Sequence, residues 1–432
     1  MRYRLVYRRT ATTETQKMLS ALPSTAALLL GIAFLMLGNG LQGTHLGVRG
    51  AIESFSAVHI GLFMSAYYAG FAVACLFGTA VIERVGHIRA FAAFASLASA
   101  AAIIHAVHVD PYSWIVLRAL TGACFAGLYM VIESWLNDKV SNAQRGSLMA
   151  VYMIVNLGAI AAAQQLLNIA DPAGFELFVV ASVLISLAAV PVALTRSVAP
   201  VLMPAGRMRF AALYSLSPLG MMGALATGLA SGAMWGLVPL AAIRFGLSTA
   251  AVATVMSLIV LGGVVFQWPT GSLSDRVDRR IVIAVVSTVL VGSSLAMYFA
   301  ATQSLNSLFA VSFVFGGMSL VLYPLCAAHA NDRVSPSERV QAVATLLLVL
   351  GLGAAIGPFL GALLMEVYGA RSLFLFIAGI HALFLLFALV RIRKGEAVPV
   401  ADRSRFEPVV PVPTSAMLDP RVIPDETDLS SG

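Results

Sequence analysis

Residues 331–335 read Asn331-Asp332-Arg333-Val334-Ser335, and the same pattern stands 194 residues earlier as Asn137-Asp138-Lys139-Val140-Ser141. At that offset Arg145 matches Arg339, Gly122 matches Gly316 and Tyr129 matches Tyr323. Glu83-Arg84-Val85 recurs 192 residues on as Asp275-Arg276-Val277. The chain therefore reads as two copies of one unit, and the solvent in which that unit folds follows from the residues around these stretches.

Of 432 residues, 59% are apolar and only 11% charged, with a mean hydropathy of +0.89. Soluble domains carry about 25% charged residues, so a soluble globule, a disordered chain and a disulfide scaffold are excluded. In lipid every backbone polar group must be satisfied within a helix or a closed barrel. Barrel strands alternate polar and apolar residues, whereas these segments are apolar all round. Residues 18–48, 54–82, 90–109, 146–170, 177–195, 210–243, 245–274, 340–365 and 372–390 contain no Asp, Glu, Lys or Arg. The charge-free interval 281–331 holds two spans, broken near residues 303–306, and a further span over 113–136 carries Arg118 and Glu133. That makes twelve spans, each near the roughly 20 apolar residues that a bilayer requires. The expected fold is an all-α membrane protein of two pseudo-symmetric six-helix bundles, with six spans per half keeping both copies in the same orientation.

Lys and Arg set the orientation, since they accumulate on cytoplasmic segments. With the N-terminus inside, the inward segments hold 20 of them and the outward loops only Arg49, Arg244 and Arg371. Both termini are expected in the cytoplasm of a bacterial inner membrane, and the net charge of +7 reports topology, with no nucleic-acid partner implied. The basic stretch from Arg2 to Lys17 precedes a span too long for a signal-peptide core. The expected organisation is a basic cytoplasmic N-terminus over 1–20, bundles over 21–196 and 213–393, a linker over 197–212, and a disordered cytoplasmic tail over 394–432 that is rich in Pro. Cys75, Cys124 and Cys326 fall inside spans and read as small buried hydrophobes. Parallel repeats of this kind place a solute site near the bilayer midplane, between halves that rock around it.

Architecture, orientation and loop motifs resemble the major facilitator superfamily over about residues 20–393. Gly271-Ser272-Leu273-Ser274-Asp275-Arg276-Val277-Asp278-Arg279-Arg280 is similar to its signature loop G-x-L-x-D-R-x-G-R-[RK], with Asp278 replacing the second glycine. The first copy, Gly78 to Arg89, is weaker: Glu83 replaces Asp and Gly78 sits one residue early, while Gly86 is kept. Arg118-Ala119-Leu120-Thr121-Gly122 resembles the R-x-x-x-G signature of span 4. The glycine-proline motif of many antiporters is absent from span 5, and a similar pattern, Gly353, Gly357-Pro358 and Gly361, stands in span 11. Residues 267–276, with Leu322-Tyr323-Pro324 and Ile132-Glu133-Ser134, look like the bacterial YcaD-like subgroup.

Three groups of residues are candidates for mechanism. The loop residues Glu83, Arg84, Gly86, Asp138, Asp275, Arg276, Arg280 and Asp332 suit an inner gate. An acid is favoured at a helix N-terminus of the other half, and the repeat suggests the pairs Arg84–Asp138 and Arg276–Asp332. On span 4, Arg118, Gly122, Ala126, Tyr129 and Glu133 form one stripe. Arg118 and Glu133 are about 22 Å apart at 1.5 Å per residue, and the second half has Ser312 and Ala327 in their places. Ionisable residues inside a bilayer are costly and usually face a water-filled cavity. Arg118 reads as an anion site or packing anchor. Glu133 is the proton-coupling candidate, because a carboxyl taken out of water holds its proton more readily; the alternative is an ion pair with Arg145 or Lys139. Asn39, Gln42, Tyr129, Trp235, Gln267 and Tyr323 are the cavity candidates, with Tyr67, Tyr68, Asn156, Gln164, Gln165 and Ser231 as further polar wall residues. The superfamily resemblance, in which spans 1, 4, 7 and 10 line the path, favours Asn39, Gln42, Trp235 and Tyr323.

No phosphate-binding G-x-x-x-x-G-K-[ST] segment, nucleophile triad or metal-ligand spacing occurs in the sequence. The expected function is secondary active transport of a small organic solute by alternating access in a monomer, coupled to protons, without a cofactor or metal. A drug or toxic-compound efflux antiporter stands as the alternative. A non-transporting sensor and a membrane enzyme are the readings from other classes.

Overall fold

The computed structural model of the chain describes residues 2–138, 142–194, 206–300 and 304–395, with 398, 399, 403 and 406; for 2–24, 137, 138, 142–147, 149 and 336 it describes the backbone alone. Twelve helices are long and apolar enough to cross a membrane. In chain order they are α1 (Arg2–Ile52), α2 (Ala57–Val85), α3 (His87–Val107), α4 (Pro111–Asp138), α5 (Asn142–Gln165), α6 (Glu176–Leu187, continued over Ala189–Ala193), α7 (Pro218–Arg244), α8 (Thr249–Arg276), α9 (Arg279–Ala300), α10 (Leu305–Asn331), α11 (Arg339–Tyr368) and α12 (Ser372–Lys394). They match the twelve apolar intervals of the sequence. The membrane-length part of α1 is Thr25–Ile52. The break in α6 has a local cause: Pro191 has no N–H to give the Leu187 carbonyl four residues before it.

An even number of spans brings the first and last helices back to one end of the bundle, here the near end. Loops α1–α2, α7–α8 and α11–α12 lie at the far end. Helix starts are capped by hydroxyls, as first-turn N–H groups require. Ser56 accepts from His59 N–H, Ser248 from Ala251 N–H and Ser304 from Ser307 N–H. Gly86 alone joins α2 to α3 at φ +86°, a left-handed conformation that favours glycine.

Glycines also let backbones touch, and they do so in duplicate. A methyl on Gly122 of α4 would overlap the Tyr67 carbonyl of α2, and one on Gly316 of α10 would overlap the Ile259 carbonyl of α8. Gly70 against Ala119 repeats as Gly262 against Phe313. The sequence repeat is thus a repeat of helix pairing, in which small residues permit the close approach that lipid-solvated helices depend on.

The halves meet at the far end. Gly61 of α2 packs on Pro358 and Ala362 of α11, and Gly47 of α1 on Pro239 of α7. Gln165 Nε2 of α5 donates to the Ser257 hydroxyl of α8 at 2.8 Å, and that hydroxyl donates to the Ala161 carbonyl at 3.1 Å. The largest apolar core joins Leu46, Phe63 and Trp114 of the first half to Leu237, Val252 and Met365 of the second. A separate core holds first-half residues only, from Leu28 to Val192.

Candidate functional site: a cavity shared by the two halves

Between the halves lies a cavity of about 220 Å³. The first half contributes Asn39 and Thr44 on α1, Tyr67, Tyr68 and Phe71 on α2, Arg118 and Tyr129 on α4, and Asn156 and Gln164 on α5. The second contributes Thr227, Ser231 and Trp235 on α7, Ser319 and Tyr323 on α10, and Leu350 and Ala354 on α11. Asn39, Tyr129, Trp235 and Tyr323, singled out from the sequence, all stand on this wall, as does Arg118. Thr44, Phe71, Thr227 and Ser319 stand there too and were not singled out, because isolated hydroxyls and aromatics in apolar helices look the same whether they face a cavity or a neighbour.

Two expected wall residues do not reach the cavity. On α1 the wall is formed by Asn39, Gly40, Gly43 and Thr44. At about 100° per residue these cover one arc, and Gln42 falls outside it, buried at 1% exposure. Gln267 is buried within α8 and does not line the cavity.

Arg118 is 4% exposed. Its guanidinium carbon lies 4.2 Å from the centroid of the Tyr67 ring, a cation–π distance. The Tyr67 hydroxyl accepts from Asn39 Nδ2 at 3.2 Å. Thr44 donates to Gln164 Oε1 across the first half. The Tyr129 hydroxyl contacts the Met36 sulfur at 2.8 Å. Tyr67, Thr44 and Tyr129 are thus held in place by neighbours within this half.

Glu133 is fully buried, on α4 between the cavity and the near end. Tyr152 of α5 donates its hydroxyl to Glu133 Oε1 at 3.3 Å. Lys139 and the Arg145 side chain, the alternative partners, lie outside the described residues.

The two loop motifs differ in what surrounds them. Glu83 and Arg84 are exposed, and the Asp138 side chain expected to pair with Arg84 lies outside the described residues. In the second copy the expected Arg276–Asp332 pair is replaced. Arg276 is exposed, and Arg279 holds Asp332 at 2.6 Å and Asp275 at 3.0 Å. The i, i+4 spacing of Asp275 and Arg279 was the available signal. Helix α9 begins at Arg279, so Arg279 enters the bundle and Arg276 stays outside. Arg280 meets Asp278 at 2.8 Å and donates to the Gly395 carbonyl at 2.7 Å. Burial raises the Asp278 carboxyl, but the Arg280 side chain and backbone N–H outweigh it and hold Asp278 below its usual value. Phe406 covers Gly271, and its backbone N–H donates to Asp275 at 2.8 Å. The remainder of the expected 394–432 tail, beyond Gly395 and residues 398, 399, 403 and 406, and residues 197–205 of the expected linker, lie outside the described residues.

Twelve spans in two matched halves around one shared cavity are an architecture suited to a membrane transporter. The family model described as Major Facilitator Superfamily matches residues 220–424. The chain is 28% identical over 364 residues to the "Uncharacterized MFS-type transporter YcaD" of Salmonella typhimurium, covering 84% of this chain and 94% of the relative. The same values hold for that transporter in Salmonella typhi. Among solved structures, a mutant of the nucleoside transporter NupG superposes with a TM-score of 0.74 at 13% identity, covering 85% of this chain and 99% of that one. A bacterial homolog to the human lysosomal transporter Spinster, inward-facing and occupied, gives 0.70 at 14% identity, covering 88% and 99%. The second half of the chain thus matches the Major Facilitator Superfamily model, and the whole chain is similar in sequence and fold to multi-pass transporters of that kind.

Proposed function

We propose that the chain moves a small organic solute by alternating access, coupled to protons, as a monomer with both termini in the cytoplasm. The observation that carries this reading is the shared cavity with its interhalf packing at the far end. The Lys and Arg excess assigns the near end to the cytoplasm, so the far-end packing of Gly61, Gly47 and Gln165 is an outer gate in its closed position. Rocking the halves apart there would expose the same cavity to the opposite face. Glu133, buried beside Tyr152 below the cavity, is the proposed proton carrier.

A test needs no knowledge of the cargo. In a background lacking Cys75, Cys124 and Cys326, Gln165→Cys and Ser257→Cys are bridged by a short bifunctional thiol reagent, and a cysteine at Ser231 reports on the cavity. The bridge is expected to abolish labelling of that cysteine by an impermeant reagent from outside while preserving it from inside. Labelling from outside unchanged by the bridge would sink the reading.

A further inference from the structure

We infer that the cavity takes a small organic monoanion, its carboxylate seated on Arg118 and its apolar body against the aromatic wall. This rests on the transport reading above and names the class of its cargo. Arg118 stands in the cavity wall at 4% exposure. Its Nε and Nη1 are buried without a hydrogen-bond partner among the described residues. No described Asp or Glu lines the cavity. Glu133, on the same helix, is about 22 Å along it. The group beside the guanidinium is the face of Tyr67, which offers a quadrupole and no acceptor for the N–H fork.

A buried charge is retained where it is paired and hydrogen-bonded. A guanidinium presents five donors in a planar fork that matches a carboxylate bidentately. The counter-charge missing from the protein is therefore assigned to the occupant. With a single described cation on the wall, the occupant carries one negative charge. Size narrows it further. About 220 Å³ is below the roughly 300–1,000 Å³ typical of pockets for drug-sized ligands, which favours a small metabolite over a bulky toxic compound. Tyr68, Phe71, Trp235 and Tyr323 offer flat apolar surface around Arg118, and Ser231 and Ser319 on the opposite half can meet one or two neutral polar groups.

The full chain in lipid nanodiscs, at fixed pH and ionic strength, is titrated with three acid–amide pairs: benzoate and benzamide, 4-hydroxybenzoate and 4-hydroxybenzamide, hexanoate and hexanamide. Thermal stabilisation reads binding by mass action. At least one acid is expected to bind tenfold or more tightly than its amide. Arg118→Gln should erase that difference, and Arg118→Lys, which keeps the cation without the fork, should retain part of it. Should Arg118→Gln not fold, Arg118→Lys with the acid–amide comparison carries the test. Equal binding of acid and amide in all three pairs, or selectivity that survives Arg118→Gln, would overturn the inference. The outcome is independent of the gate-bridging experiment. Anion selectivity without a change in access would leave the site and remove the carrier, and the reverse would leave the carrier and remove the anion.

Discussion

The Glu366 carboxylate, near the far end of α11, accepts a hydrogen bond from the backbone N–H of Ala57 at 2.8 Å, the first residue of α2 in the other half. A helix N-terminus has N–H groups without intrahelical partners and a partial positive charge. Here an acid from one half satisfies them in the other. The sequence motifs suggested this chemistry for the near-end loops; among the described residues it is seen at the far end, beside the Gly61 contact with Pro358 and Ala362.

Glu366→Ala should therefore loosen the far-end closure. Loss of a capping interaction costs about 0.5–2 kcal/mol, and because the bond exists only while the halves touch, that cost falls on the closed state. The population with the far end open should rise severalfold. Spin labels on the outer ends of α2 and α11 measure it as a longer-distance component, and an unchanged distance distribution would deny the latch.

Gly122→Ala should destabilise the first half, because the added methyl meets the Tyr67 backbone carbonyl, which cannot rotate away. Overpacking of this kind costs about 1–3 kcal/mol. Gly158→Ala is the contrast. Its methyl would meet nothing within 4 Å on α5, and replacing a helical Gly by Ala is worth up to about 1 kcal/mol of stability. Thermal unfolding of the two variants in nanodiscs should move in opposite directions.

Arg279→Ala should cost about 3–5 kcal/mol, the usual penalty for breaking a buried ion pair by removing one partner. Arg279 and Asp332 have side chains only 1% and 2% exposed, so the carboxylate that loses this partner has little access to water. Arg276→Ala, on the exposed neighbour, should change unfolding by less than about 0.5 kcal/mol. A comparable loss in both variants would contradict the pairing seen in the structure.

Asp278 gives a pH signature with a definite sign. Its carboxyl is held below the usual range by Arg280, so its contribution is fully present above the unfolded value of about 3.9. The contribution is lost as pH falls through the lower folded value. The stability difference between the native chain and Asp278→Asn should be constant from neutral pH to about 5 and shrink below about 4. A difference that grows on acidification would refute the assignment.

The number and limits of the spans were legible because lipid tolerates so little charge that most loops announce themselves, as at Glu83-Arg84 and Asp332-Arg333, while the uncharged loop near 303–306 showed only as an interval too long for one span. The pairing of halves was legible because Gly122 and Gly316 keep their places for the same packing reason. Direction around a helix was less so. Asn39 and Gln42 are both polar and close in angle, but only the packing of α1 against its neighbours decides which one meets the cavity. Loop partners were the least legible. Arg276 and Arg279 differ by three residues, and the point where α9 starts selects between them. Pro191 interrupts α6 inside a charge-free interval, where no change of polarity marks a break.

Glu133 offers the most direct test of proton coupling. It is fully buried and receives the Tyr152 hydroxyl at 3.3 Å, so a proton entering or leaving it changes the charge of a site inside the bundle. Charge in a membrane interior is costly, which ties its protonation to any movement that alters its access to water. Glu133→Gln keeps the shape and the acceptor oxygen but fixes the neutral form. A carrier locked in that form can still exchange solute for solute, since both legs of exchange use the loaded protein, but cannot be driven by a proton gradient. In proteoliposomes Glu133→Gln should abolish pH-driven uptake and leave counterflow intact, whereas Tyr152→Phe, which removes only the donor, should shift the pH dependence of uptake and keep the drive. Gradient-driven uptake at the native rate in Glu133→Gln would take the proton away from this residue.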